Sequence, residues 1–261
     1  MILARIARAV REQNWFAVVL EFVIVIAGVV IGFQVTEWRG ERASAARAEA
    51  YLHSFLLDLA TDAEHFDIDR RFRLTVLENG ERALAATGTT GSAEADWDLV
   101  RVFWNASQMS GRPSINSTYV ELTSAGELGL IANSDLRNAL TRFYTNTANP
   151  ALSEPSSYRT HVRGMIPLPM QRYLWAECYE ADGNVTQSLL DCAPPPGDPE
   201  ITETLVRLTG SDVLREELTF WMSAQEVAAI VLYNRRQLAL DLADAIDVEL
   251  GGSQRNSEEA L

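Results

Sequence analysis

The longest unbroken apolar pattern in the chain runs from Trp15 to Trp38, WFAVVLEFVIVIAGVVIGFQVTEW. Between Trp15 and Phe33 the one ionisable residue is Glu21, and about twenty such residues at ~1.5 Å rise each span a hydrocarbon core. About a dozen Val, Ile, Leu and Phe favour insertion by roughly 0.3–0.6 kcal/mol each, against about 3 kcal/mol for one carboxyl at the centre. Trp15 and Trp38 fall where interfacial aromatic belts lie. The pattern predicts a single transmembrane helix over residues 15–38.

Beyond it the period becomes that of an amphipathic helix. No proline occurs from Arg39 to Ala86, and Leu52, Leu56, Leu59, Ala63 and Phe66 alternate in spacings of four and three, a helical stripe. The membrane helix is expected to run on as one rod, with Gly40 the place for a bend. A loop over Thr87 to Glu94 precedes a short helix, Asp96 to Gln108, with Leu99, Val102 and Phe103 inward. Gly111-Arg112-Pro113 breaks the chain. Thr118 and Glu121 read as a capping box for a helix that Gly126 closes. A further helix starts near Asn133 or Ser134, and Ser157 to Trp175 is helical but interrupted by Pro167 and Pro169.

A short helix over Thr202 to Leu208 leads to the last long one, Asp212 to Leu250. It carries two apolar stripes: Leu214, Leu218, Trp221, Ala228, Leu232, Ala239, Ala243 and Ile246, and then Phe220, Val227, Val231, Leu238 and Leu242. A helix apolar on two stripes is expected at the centre of a bundle, antiparallel to the first long helix. Gly251-Gly252 should stop it. No repeat and no strand-period run is visible. The fold class expected is all-α: a transmembrane helix continuing into an extramembrane helical bundle. Residues 1–14 form a basic amphipathic segment, 15–38 the anchor, 39–250 the bundle and 251–261 a disordered tail.

Arg5, Arg8 and Arg11, interleaved with Ile2, Leu3, Ile6 and Val10, suit the surface of a lipid bilayer. Ala43-Ser44-Ala45 offers a signal-peptidase site, but the apolar core is too long for a signal peptide and charges from Glu37 to Arg42 separate the two. A retained anchor is expected. Arg39, Arg42 and Arg47 nearly balance the N-terminal arginines, so the positive-inside count alone does not orient the helix. Cys178 and Cys192 do. They flank one polar loop, which suits a disulfide in an oxidising compartment, worth about 3 kcal/mol; the alternative is two unrelated buried thiols. Neither belongs to a Cys-x-x-Cys pair. The expected placement is N-terminus cytoplasmic and domain periplasmic.

Net charge is −14, and all 22 basic residues are arginine. That balance argues against nucleic acid, whose binding needs clustered cations to neutralise phosphates. The 47% hydrophobic share is enough for a real core.

Two stretches carry a resemblance. In EFVIVIAGVVIGFQVTEWRGER the matching residues are Glu21, Gly28, Gln34 and Trp38. In NSTYVELTSAGELGLIANSDLRNALTRFY they are Tyr119, Glu121, Leu122, Ser124, Gly126, Leu130, Ile131, Leu136, Arg137 and Tyr144. On these the chain resembles a family of uncharacterised bacterial single-pass membrane proteins, a domain-of-unknown-function family. Thr36-Glu37 and the cysteine loop depart from its pattern. The resemblance implies membrane anchoring, in a bacterial inner membrane, and a helical domain; it implies no activity.

Asp62 and His65 at i, i+3 imitate half of a di-metal bundle site, but no second carboxylate-x-x-His exists, and His53 and His161 stand alone. With Asp58, Glu64 and Asp69 they read as a solvated acidic face, as do Asp241, Asp244, Asp247 and Glu249. There is no Gly-x-Ser-x-Gly and no Gly-rich loop with lysine, so no enzyme, cofactor or metal is expected. Glu21 is either a functional intramembrane carboxyl or an interfacial one. Glu21, Val25, Gly28 and Gly32 share one helix face, and Gly28 to Gly32 is a G-x-x-x-G that lets a second helix approach. The function expected is a membrane-anchored, non-enzymatic interaction or sensory module. Alternatives are an accessory subunit of a larger membrane complex, or, more remotely, a metal-dependent bundle enzyme.

Overall fold

The computed structural model describes residues 15–146, 156–183, 186–197 and 200–258; the basic segment 1–14 and the end of the tail, 259–261, lie outside them. The described residues form eight α-helices, one 3-10 turn and one two-stranded hairpin, so the fold is all-α. The helices are α1 (Trp15–Ala85), α2 (Ala93–Ala106), α3 (Ser117–Ser124), α4 (Ser134–Thr145), α5 (Ser157–Met165), α6 (Leu168–Glu177), α7 (Ile201–Thr209) and α8 (Asp212–Glu258).

The chain divides into two units, residues 1–51 and 52–261. In the first, α1 holds one window of mean hydropathy 2.3, long and apolar enough to cross a membrane and with none of it buried. Gly40 lies within unbroken helix. The Arg42 guanidinium sits 3.9 Å above the Trp38 ring, and the Thr36 hydroxyl donates to the Gly32 carbonyl at 2.9 Å.

In the second unit α1 buries Leu52, Phe55, Leu59, Ala63, Phe66, Phe72 and Val76. Phe55, not Leu56, occupies the inward position, since the spacing three-then-four from Leu52 holds the stripe better than four-then-three. This part of α1 runs antiparallel to α8: Arg235 lies over Phe66, Arg70 over Tyr233, Arg73 bonds Gln225 and Arg215 bonds the Leu84 carbonyl. A Cβ built on Gly80 would fall 1.7 Å from the Met222 sulfur. Glycine is what lets the side chain of α8 lie against α1 there.

Around that pair the core has two parts. One gathers Phe72, Val76, Trp97, Trp104, Tyr158, Leu174, Leu205, Leu218 and Trp221. The other holds Phe55, Leu122, Leu140, Phe143, Tyr144, Leu232 and Ile246. Tyr158 donates to the Phe103 carbonyl at 2.8 Å and Trp221 to the Ala106 carbonyl at 2.9 Å, so both bulky side chains satisfy their polar atoms in the interior.

Several boundaries differ from the sequence reading. α3 is capped by Asn116 without a side-chain bond, so Thr118 is not a cap; Gly126, at φ +70°, does close it. Asn133 caps α4 as expected, and the prolines split the next helix into α5 and α6. Tyr179–Asp182 and Thr186–Leu189 form an antiparallel hairpin, Tyr179 opposite Leu189, where no strand was expected. α8 continues past Gly251-Gly252 to Glu258. Two glycines cost only about 1 kcal/mol each in a helix, too little alone to force a stop. α8 is also not central. Its first stripe is buried, but Phe220 is 74% exposed and Val227 and Leu238 are exposed with it, Leu242 alone of the second stripe being buried.

Candidate functional site

Residues 108–116 link α2 to α3 with no regular secondary structure, so their backbone N–H groups need partners from elsewhere. Two aspartates of α1 take up two of them, and a third takes up an amide of the first turn of α3. Asp69 accepts from the Arg112 amide at 3.2 Å, Asp62 from Ile115 at 2.8 Å and Asp58 from Thr118 at 3.4 Å. Spacings of four and seven put these carboxylates on one helix face, and the strap descends α1 as its own numbers rise. Glu64 is exposed as expected, but Asp62 and Asp69 are not solvated, each being 1% exposed. A carboxylate can be buried only where hydrogen bonds or counter-charges replace water, and the strap provides both.

Arginines complete the set. Arg112 pairs with Asp69 at 3.0 Å, and the Ser110 hydroxyl donates to the same carboxylate. Arg73, fully buried, bonds Gln225 at 2.9 Å and the Ser110 carbonyl. Arg235 of α8 donates to the Asn146 carbonyl and the Ser114 hydroxyl, both at 3.0 Å, while its face covers Phe66 and Phe143. At the strap's start, Arg159 and Arg163 of α5 bond Ser107 and Gln108. Tyr144 packs between Phe55 and Tyr119, at 5.7 and 5.2 Å between ring centroids.

Burial dominates the electrostatics. It raises Asp62 from the usual 3.8 to about 6, against the Ile115 N–H and the Arg235 charge that hold it down; Asp58 adds to the rise. It lowers Arg73 to about 10, partly offset by Asp69. Tyr144 is raised by burial and then by the charges of Asp62 and Asp58.

Between strap, α1 and α8 lies a cavity of about 170 Å³, lined among others by Asp69, Arg112, Ser114, Asn116, Tyr144 and Arg235. Four buried polar atoms in this cluster have no protein partner: Arg112 Nη1, Arg235 Nε, the Tyr144 hydroxyl and Asp62 Oδ2. A wider groove of about 350 Å³ separates α1 from the second hairpin strand, but its one charged residue, Arg71, is paired with Asp67 at 3.1 Å.

The residues singled out in the sequence are not gathered here. Glu21, Val25, Gly28 and Gly32 lie exposed on the first unit's helix, and no atom comes within 4 Å of a Cβ built at either glycine. Cys178 and Cys192 stand at disulfide-bonding distance, Cα–Cα 5.2 Å, and close the hairpin loop. Asp62 serves the strap rather than His65, which is half-buried. His161 pairs with Glu217 at 3.0 Å. No group of three or more His, Cys, Asp or Glu among the described residues is placed to hold a metal. Asp241, Asp244 and Asp247 are exposed as expected, and Glu249 accepts from Asn133 at 3.0 Å. The arginines were missed because nothing in their spacing links positions 73, 112 and 235.

No family model, curated protein or solved structure matches the chain.

Proposed function

We propose that this protein is a membrane-anchored, non-enzymatic binding or sensory module whose ligand site is the cavity under the strap, and that the ligand carries a small oxyanion. What supports the reading is the cavity wall itself: Arg112 and Arg235 line it, and each keeps one buried guanidinium nitrogen without a protein partner. Asp69 already neutralises part of Arg112, which favours a small, singly or doubly charged group over a polyanion. Asp58, Asp62 and Asp69 sit on the same helix that begins with the apolar span. A ligand that shifts the strap therefore acts on that helix, the sensory half of the proposal. Residues 15–38 would be the anchor, in a bacterial inner membrane, with the domain on the oxidising side where the cysteine pair is stable.

Isothermal titration of the full chain in detergent with succinate and with inorganic phosphate tests this. One of them should bind saturably and lose binding in Arg235→Gln. Heats that never saturate for either probe, or saturation unchanged by that substitution, would remove the oxyanion reading. An accessory-subunit role is the second reading, and the exposed apolar face of α8 favours it; stoichiometric partners after native purification would support it.

A further inference from the structure

We infer that α8 pairs with α8 of a second copy of this chain, parallel and in register, along its exposed face. The residues concerned form two interleaved series: Phe220 and Val227 seven apart, and Ala224, Val231 and Leu238 seven apart. The combined spacing of four and three is the 3.5-residue repeat that keeps a seam facing a partner helix. Val213 extends one series and Ala245 the other.

Most of this seam is unused inside the chain; Ala224 packs against the domain's own core. Val213 is 55% exposed, Phe220 74%, Val227 48% and Leu238 43%, with Ala224 and Val231 half-buried. An adjacent side about 100° round the helix, Leu214, Leu218, Trp221, Ala228, Leu232 and Ala239, each one residue after a seam position, is what α8 buries in its own domain. A surface apolar at a coiled-coil period, on a helix already fixed along an adjacent side, is self-complementary: a second copy presents the same ridge and the same holes.

The register follows from one polar residue. Asn234 occupies the next place in the Phe220–Val227 series. In a parallel, in-register pair its amide meets its own counterpart and bonds it. In an antiparallel pair centred on the seam it would face Ala224 and stay unsatisfied, a cost the parallel arrangement avoids. Glu217 and Asp241 bound the seam at either end, where like charges would meet. The apolar contact thus runs from Phe220 to Leu238, roughly 27 Å at 1.5 Å per residue. That is shorter than the three to four heptads expected of a free-standing coiled coil, so association should need both copies in one bilayer or high concentration. This inference stands apart from the cavity and its ligand.

The test uses full-length protein in membranes, native cysteines retained, treated with a mild thiol oxidant. Asn234→Cys and Val227→Cys should each give a reducible homodimer band, and Glu226→Cys, off the seam, only background. Adding Phe220→Glu to Asn234→Cys should abolish the band while leaving the thermal midpoint of dilute, unassociated protein unchanged, because Phe220 is 74% exposed; this separates the seam from any association through the anchor. Equal bands for Asn234→Cys and Glu226→Cys would overturn the proposal. So would a band that appears only when Ala224→Cys and Asn234→Cys chains are mixed, which marks an antiparallel pair. A crosslink to a different protein would give the face to another partner.

Discussion

Replacing Asp62 with Asn should make the protein more stable, and more so the higher the pH. In the fold the Asp62 carboxyl is 1% exposed and titrates at about 6 rather than 3.8. A folded-state pKa above the unfolded one means that the native state holds the proton more tightly. Its stabilising contribution is fully present below about pH 4 and is lost as pH rises through about 6. The rise from 3.8 to about 6 corresponds to about 3 kcal/mol. Asn keeps the oxygen that accepts the Ile115 N–H and cannot ionise. The variant should therefore exceed wild type by about 1 kcal/mol at pH 4.5, where the unfolded carboxyl is already mostly ionised, and by up to about 3 kcal/mol at pH 8, about 6–12 °C in midpoint for a domain of this size. Thermal unfolding of both full-length proteins in the same detergent, stepped from pH 4.5 to 8, reads the difference directly. Other carboxylates shift both curves alike, so only the gap between them matters. A gap that stays constant with pH, or one that favours wild type at pH 8, would refute the account of Asp62 as a charge buried at a cost.

Gly80→Leu should destabilise the domain by about 1–3 kcal/mol through overpacking, and Met222→Ala in the same chain should recover part of that in a double-mutant cycle. Alkylation under denaturing conditions should find no free thiol until reductant is added, and Cys178→Ser with Cys192→Ser should lower stability by about 3 kcal/mol. Alkaline carbonate washing should leave the protein in the membrane pellet at full length; release, or an N-terminus at Ala46, would mean that residues 15–38 are not a retained anchor. Gly28→Ile and Gly32→Ile should weaken crosslinking within the anchor while Val29→Ile does not, if that helix face makes a contact of its own.

Long periodic segments were legible in the sequence and short or non-local features were not. α1 and α8 announce themselves because an amphipathic stripe repeats over many turns, and Asn133, Gly126 and the prolines mark ends by local chemistry. The hairpin escaped because strands of four residues are too short to show alternation, although Asp182-Gly183 is a turn signal. Burial of a whole face is a tertiary fact. The same aspartates read as a solvated surface until the strap, some forty to sixty residues later, covers them. The second stripe of α8 failed in the opposite direction, since apolar spacing says that a face wants a partner but not whether the chain contains it. The two arginines of the cavity come from distant segments, and no local pattern joins them.

The antiparallel pairing of α1 with α8 also sets a timetable for biosynthesis. Arg73 waits for Gln225, Gly80 for Met222 and the Ala106 carbonyl for Trp221. Gly80 is made about 140 residues before its neighbour, which at 5–20 residues per second is roughly 7–30 s of translation. During that interval the ribosome has produced α2 to α7, but the helix that closes the core has not emerged. The nascent chain thus holds Phe66, Phe72 and Val76 uncovered on the α8 side until α8 has been made. A chain cut short before Asp212 would remain in that condition permanently, and quality-control proteases would meet it as an unfinished domain.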